Sequence, residues 1–292
     1  MRRALVVLTA LATTLATTPL KAEPVVLKPY GPWNVDFGED SCRLHRLFGT
    51  AEDKHALVFQ QYWPSDGTGL TLAGPAFAKF RASEYTDLKF LEDQRSMAMK
   101  ALTGTFGDIG DAVIFANVRL DREVDRPNRE DTAEDRRFAQ MDTNFGKQVR
   151  FVQVTQGGKT VRFETGPIDG PLEVLNQCTL ELLRDIGFDA ERHVGMQSGP
   201  RWINQAALTR KIISRYPREA LAQGEQGIMR MRVIVTAEGA MESCTILKST
   251  NTVRLESPAC EVMQRAKFEP AIDAEGKPFR ALYATSITYR GP

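Results

Sequence analysis

Four cysteines, Cys42, Cys178, Cys244 and Cys260, carry the most reactive side chains of this chain, and their chemistry depends on whether they hold a metal or pair with one another. No two of them stand as C-x-x-C, and only His45, His55 and His193 are available to complete a ligand set, so the spacing of a zinc site is missing. An even number of cysteines favours disulfides formed in an oxidising compartment. Pairing within each half of the chain joins Cys42 to Cys178 and Cys244 to Cys260, and on the chain-entropy account a loop of the second bridge's size contributes about 3 kcal/mol. Gly157-Gly158-Lys159-Thr160 has the ending of a phosphate-binding loop. Gln153 stands where the first glycine belongs, however, and a strand-like run follows where a helix is needed, so these residues form a hairpin turn. Gly104, Gly107 and Gly110 miss the dinucleotide-binding spacing and mark turns, with Asp108 and Asp111 as ordinary loop carboxylates. His45, close to Cys42 and Arg46, is of a type suited to proton transfer, yet no acid or nucleophile can be placed beside it. With H-E-x-x-H and G-x-S-x-G also absent, the chain is expected to be no enzyme and to hold no catalytic residue, metal or cofactor. Trp33, Trp63 and Trp202 fill cores or cover domain edges, with an aromatic ligand groove in the N-terminal half as the alternative.

These residues have to be positioned by elements that the 292-residue chain announces with unequal clarity. Residues 1–22, basic at Arg2-Arg3 and apolar from Ala4 to Leu20, have the layout of a secretory signal, and cleavage falls before Glu23. Their threonines and Pro19 make them a poor membrane span, so retention as an inner-membrane anchor is the weaker reading. The expected location is the periplasm, with membrane contact only if that segment stays attached. Residues 23–187 are expected to form a β-rich domain closed by a C-terminal helix. Its strands are Trp33–Phe37, Ala56–Trp63, Leu70–Leu72, Ala112–Leu120, Val149–Thr155 and Thr160–Thr165. Arg119 to Arg137 is a charged, exposed connection, and Asp169 with Pro171 opens a helix whose Leu172, Leu175, Leu182, Leu183 and Ile186 share one face. Residues 188–200 turn polar and glycine-containing and are expected to link to a second domain over 201–292. Glu23–Gly195 holds 21 Lys and Arg against 28 Asp and Glu, whereas the chain from Met196 holds 14 against 9, so the two parts attract each other weakly. No basic cluster interleaves with aromatics, which excludes nucleic acid as the expected partner.

The second domain has the firmer grammar. Tyr216-Pro217 leads into a short helix through Ala222, stopped by Gly224 and Gly227. Ile228–Thr236 then alternates, with Met229, Met231, Val233 and Val235 as its apolar face, and Ala237-Glu238-Gly239 turns it into Met241–Ser249 as an antiparallel hairpin. Thr252 caps a helix from Val253 to Lys267, and after Asp273–Pro278 a last strand runs from Phe279 to Tyr289. This α-β-β-α-β order resembles the TonB C-terminal domain family. The resemblance is carried by Tyr216-Pro217, Ala220, Gly224 and Gly227, Gly239, Cys244, Ser249, Leu255 and Cys260, followed by Phe268-Glu269-Pro270-Ala271 and Gly276-Lys277-Pro278. It covers about a third of the chain, and the fold class it completes is α+β.

The resemblance implies a binding mode. In that family the domain grips an extended peptide, the TonB box of an outer-membrane receptor, by β-strand addition along its last strand. Carried onto this sequence, that edge is Arg280, Ala281, Leu282, Tyr283, Ala284, Thr285, Ser286 and Ile287, with Tyr216 and Pro217 near the approach. The implied partner is a protein, either such a receptor segment or another envelope protein, with a second copy of the chain as a further candidate. An energy transducer of the family also has a membrane helix and a long proline-rich spacer, where this chain has a folded domain and a short connection. Arg215 also stands where enteric-type members have Gln. The competing functions are a structural or scaffolding role in the envelope without energy transduction, and an enzyme with its site in the N-terminal domain.

Overall fold

The structure is a computed structural model and describes residues 23–121, 132–133, 136–248, 250 and 256–290. The expected signal segment lies outside the described residues, as does most of the charged connection. The first nine strands are β1 (Val25–Leu27), β2 (Asn34–Phe37), β3 (Cys42–Gly49), β4 (Lys54–Gln61), β5 (Gly67–Ala73), β6 (Tyr85–Lys89), β7 (Met97–Lys100), β8 (Leu102–Phe106) and β9 (Gly110–Arg119). They are followed by α1 (Thr143–Gln148), β10 (Val152–Gln156), β11 (Lys159–Phe163) and α2 (Asp169–Asp185). Two sheets result, one ordered β2-β3-β4-β5-β9-β8 and the other β1-β11-β10-β6-β7. Residues His55 to Phe59 of β4 are buried without alternation, as expected of a strand covered on both faces. The β10–β11 turn confirms the hairpin reading of Gly157-Gly158: both have positive φ, 55° and 80°, as a two-residue turn with the twist of its strands requires.

β1, β3 and β6 to β8 are not among the strands expected from the sequence. In β3 the polar Arg43, His45 and Arg46 interrupt the apolar run, and its strand character comes from pairing on both sides with β2 and β4. α2 buries Leu172, Leu175 and Leu182 against the sheets, in one core with Phe48, Phe59 and Phe163, and Leu183 in a separate cluster. Cys178 on that face is bridged to Cys42 at the start of β3, with 6.0 Å between their Cα atoms. This fastens the closing helix to the six-stranded sheet.

Residues 188–200 fold instead of spanning open space: α3 (Ala190–Val194), capped by the Asp189 carboxylate, buries Ala190 and His193. Next come β12 (Arg201–Trp202), α4 (Gln205–Ser214), α5 (Arg218–Ala222), β13 (Gly227–Val235), β14 (Met241–Lys248) and α6 (Ala259–Met263). The chain ends in β15 (Phe268–Glu269), β16 (Ala271–Ile272), β17 (Pro278–Phe279) and β18 (Ala281–Tyr289). The hairpin β13–β14 is antiparallel as expected, and β18 joins its other side to give the order β14-β13-β18. The helix expected over 253–267 is a correction: in the described residues only Ala259–Met263 is α-helical, because Pro258 sits at the cap and the chain leaves the helix after Gln264 toward β15. Residues 251–255 lie outside the described residues. α4 was not expected, since its apolar positions reduce to Leu208 and Ile212. Cys244 in β14 is bridged to Cys260 in α6. Among the described residues no helix is long and apolar enough to cross a membrane.

The three-stranded sheet is covered on both faces. Met229, Met231, Val233 and Val235 pack beneath α4 and α6 with Trp202 and Phe268. The opposite face, Arg230, Arg232 and Ile234, lies against the N-terminal half. Arg232 pairs with Asp40 at 2.7 Å, and Arg290 donates to Lys100 O at 2.7 Å. A third apolar cluster, with Phe138, Leu183, Phe188, Phe279 and Leu282, fills the junction.

Candidate functional site

β18 pairs with β13 on one side through nine unbroken register positions, and none of the described residues forms a strand on its other side. Which of its backbone groups face outward follows from Leu282. Its N–H donates to Nε2 of His193, 3.4 Å away on α3, and so points away from β13. In an antiparallel ladder, successive residues alternate in the direction of their N–H and C=O groups. Ala284, Ser286 and Thr288 therefore present theirs on the same open edge, while Tyr283, Thr285 and Ile287 bond to β13.

His193 closes the start of this edge. Its Nδ1 lies 2.7 Å from Asp189 O, a carbonyl that can only accept, so the proton sits on Nδ1 and the Nε2 lone pair is left for Leu282. The ring is packed by Phe138, Phe188 and Phe279. Burial pushes its pKa below the ordinary value, with Arg192 and Arg280 adding to that and Asp189 opposing it.

Beyond Leu282 the edge opens into a cleft of about 650 Å³ between the two halves, within the range of ligand-binding clefts. One wall is β18 from Leu282 to Ser286, with Thr288. The opposite wall comes from Tyr62-Trp63, from Asp66 after β4, and from Arg136-Arg137-Phe138. Trp202 and Gln205 line one side. Arg230 reaches from β13 beneath the edge: it donates to Ser286 Oγ and, at 2.7 Å, to Ala116 O of β9, and it lies 5.1 Å from the Tyr62 ring centroid. Burial lowers its pKa from the ordinary value, with Tyr62 opposing that shift. Gly69 of β5 makes room for it, since a Cβ there would stand 2.9 Å from Arg230 Nη2.

The residues expected to form the docking edge separate accordingly. Ala284, Thr285 and Ser286 line the cleft with Leu282 and Tyr283. Ala281 and Leu282 are themselves buried at the junction. Arg280 precedes the strand, where it bonds to Glu242 at 2.8 Å, which raises its pKa, and lies over Phe188. Ile287 turns toward the helical side of the sheet. Tyr216 and Pro217 do not line the cleft: Tyr216 packs edge-on against Tyr289 and donates to Glu225 O, bracing the far end of β18. Trp63, Arg137 and Arg230 were not expected at the site. For Arg230 the sequence signal was two arginines alternating through β13, and for Trp63 it was the alternative of an aromatic groove in the N-terminal half.

No curated protein matches this chain. Residues 214–290, which contain the three-stranded sheet, α5, α6 and the whole open edge, match the family model described as Gram-negative bacterial TonB protein C-terminal.

Proposed function

We propose that this chain is a periplasmic protein of the cell envelope that captures an extended segment of a partner protein by strand addition along Ala284–Thr288. The observation that carries this reading is the direction of the Leu282 N–H, which turns the alternate amides and carbonyls of an otherwise unpaired edge toward an open cleft. Main-chain pairing supplies affinity without any special side chain, and a long unpaired edge otherwise invites aggregation. The family match over residues 214–290 supports a protein partner in the envelope, and an outer-membrane receptor segment is the finer assignment. The function is binding, with no catalytic step. The packed junction between the halves favours a fixed binding surface over a spring that transmits force: β13 and β18 are tied to the N-terminal half at Arg230, Arg232 and Arg290.

The test is site-specific photo-crosslinking in intact cells. A photoreactive residue at Thr288 is expected to trap a partner through a contiguous segment, and one at Thr245 on the opposite edge strand is not. Ala284→Pro removes one outward N–H without breaking a bond to β13, a position at which proline is tolerated on an edge, and it should abolish the crosslink. A folded Ala284→Pro protein that crosslinks as before would rule out docking by strand addition.

A further inference from the structure

The cleft has two walls, and only one belongs to the part of the chain that matches the family. We infer that the N-terminal half makes the cleft selective for an acidic extended segment, an inference that rests on strand addition at β18. The charge of the lining carries it. Arg119, Arg136, Arg137 and Arg230 line the cleft, and Asp66 is the single carboxylate among the described residues that line it. Asp66 lies 3.1 Å from Arg119, so that carboxylate is already matched by a cation. Arginines thus outnumber carboxylates among the described lining residues, although Glu23–Gly195 as a whole carries more acids than bases.

Arg137 is the best placed of these cations to meet a visiting carboxylate. Its Nε donates to Gln197 O at 2.8 Å, which holds the guanidinium in one orientation while the side chain stays exposed. No carboxylate among the described residues takes its Nη groups, and a guanidinium fork donates two parallel bonds to a carboxylate. Trp63 on the same wall gives flat apolar surface for the intervening side chains. A strand added to β18 alternates its side chains, so every second residue faces the same side of the sheet as Ala284 and Ser286, the side on which Arg230 lies. Acidic side chains at those alternate positions match the wall; basic ones meet the like charge. An open row of backbone amides and carbonyls pairs with another backbone, which favours a peptide over a nucleic acid as the anionic occupant.

The experiment uses the full mature chain and three fluorescent octapeptides that alternate valine with Glu, Gln or Lys, read by fluorescence polarisation. The Glu peptide should bind about tenfold more tightly than the Gln peptide, the difference expected of one charge-assisted contact, and the Lys peptide more weakly than either. Added salt should erase the Glu preference. Arg137→Glu should reverse the order of the Glu and Lys peptides, with the melting temperature reporting that the variant is folded; should it not fold, the salt titration of the wild-type protein decides alone. Equal binding of Glu and Gln peptides, both abolished by Ala284→Pro, would overturn the selectivity and leave strand addition standing. Binding of none of the peptides, or binding indifferent to Ala284→Pro, would overturn strand addition and the selectivity with it. A single-stranded oligonucleotide that binds as tightly as the Glu peptide would also overturn the assignment to a peptide.

Discussion

His193 shows how a single buried residue can control an edge. Its neutral form is required twice, once by apolar packing and once by the Leu282 N–H that its Nε2 must accept. The pKa of the folded state is held below the ordinary value of about 6.5, so the unfolded chain takes up the proton first as pH falls. The stabilisation is fully present above that ordinary value and is lost progressively below it, until the folded-state pKa is reached. Carboxylates such as Glu242 and Glu261 are held low by hydrogen bonds from Arg280 and Arg215, and they lose their contribution only in more acid solution. The denaturation midpoint should therefore fall between pH 8 and pH 5.5 in the wild-type protein and stay flatter in His193→Gln, whose side-chain carbonyl can still accept from Leu282. Identical slopes in the two proteins would show that His193 does not set this dependence. Nothing in the sequence distinguished His193 from His45, because what separates them is three aromatic rings brought in from Phe138, Phe188 and Phe279.

At the scale of elements, legibility followed the kind of pattern. β13 and β14 were readable because alternation on one buried face has a period of two and a glycine turn between the strands. α2 was readable because four leucines repeat at helical spacing. β3 and α4 were not, since their conformations depend on neighbours more than on their own apolar residues. The cysteines linked the readable elements to the others: Cys42 ties β3 to α2, and Cys244 ties β14 to α6. The sequence separations of 136 and 16 residues imply, on the chain-entropy account, upper contributions of about 5 and about 3 kcal/mol. Replacing Cys42 and Cys178 by serine should thus lower the unfolding free energy more than replacing Cys244 and Cys260. Equal losses in denaturant titration would point to native-state relaxation in place of loop entropy. The last strand was legible to within a few residues, but which part of its edge is open was not. Arg280 to Leu282 are taken up by Glu242, the junction core and His193, so the open stretch begins at Ala284.

For the whole molecule, the decisive contact is between the halves. Arg230 crosses the junction to Ala116 O, and it can do so because β5 carries Gly69 beneath its path. Gly69→Ala should push the guanidinium off that carbonyl and cost about 1.5–3 kcal/mol, the range for a hydrogen bond made by a charged donor. Hydrogen exchange is expected to quicken along β18 while the core under α4 and α6 stays protected. Unchanged protection of β18 would mean that the junction does not depend on this arginine.

By itself the sequence determined the α+β class, the hairpin and the last strand, the pairing of the cysteines, and the absence of a recognisable catalytic motif, because all of these rest on local periodicity, turn residues, residue type and residue count. Only the tertiary structure decided that the arginine face of β13 is covered, that residues 188–200 pack as part of the junction, and that the open edge looks into a cleft walled by the other half. Those facts depend on groups more than 80 residues apart, such as His193 with Leu282 and Arg230 with Ala116, which meet only when two cores of opposite charge balance dock. Local pattern carries no information about which of its two faces a sheet will lose to a neighbour.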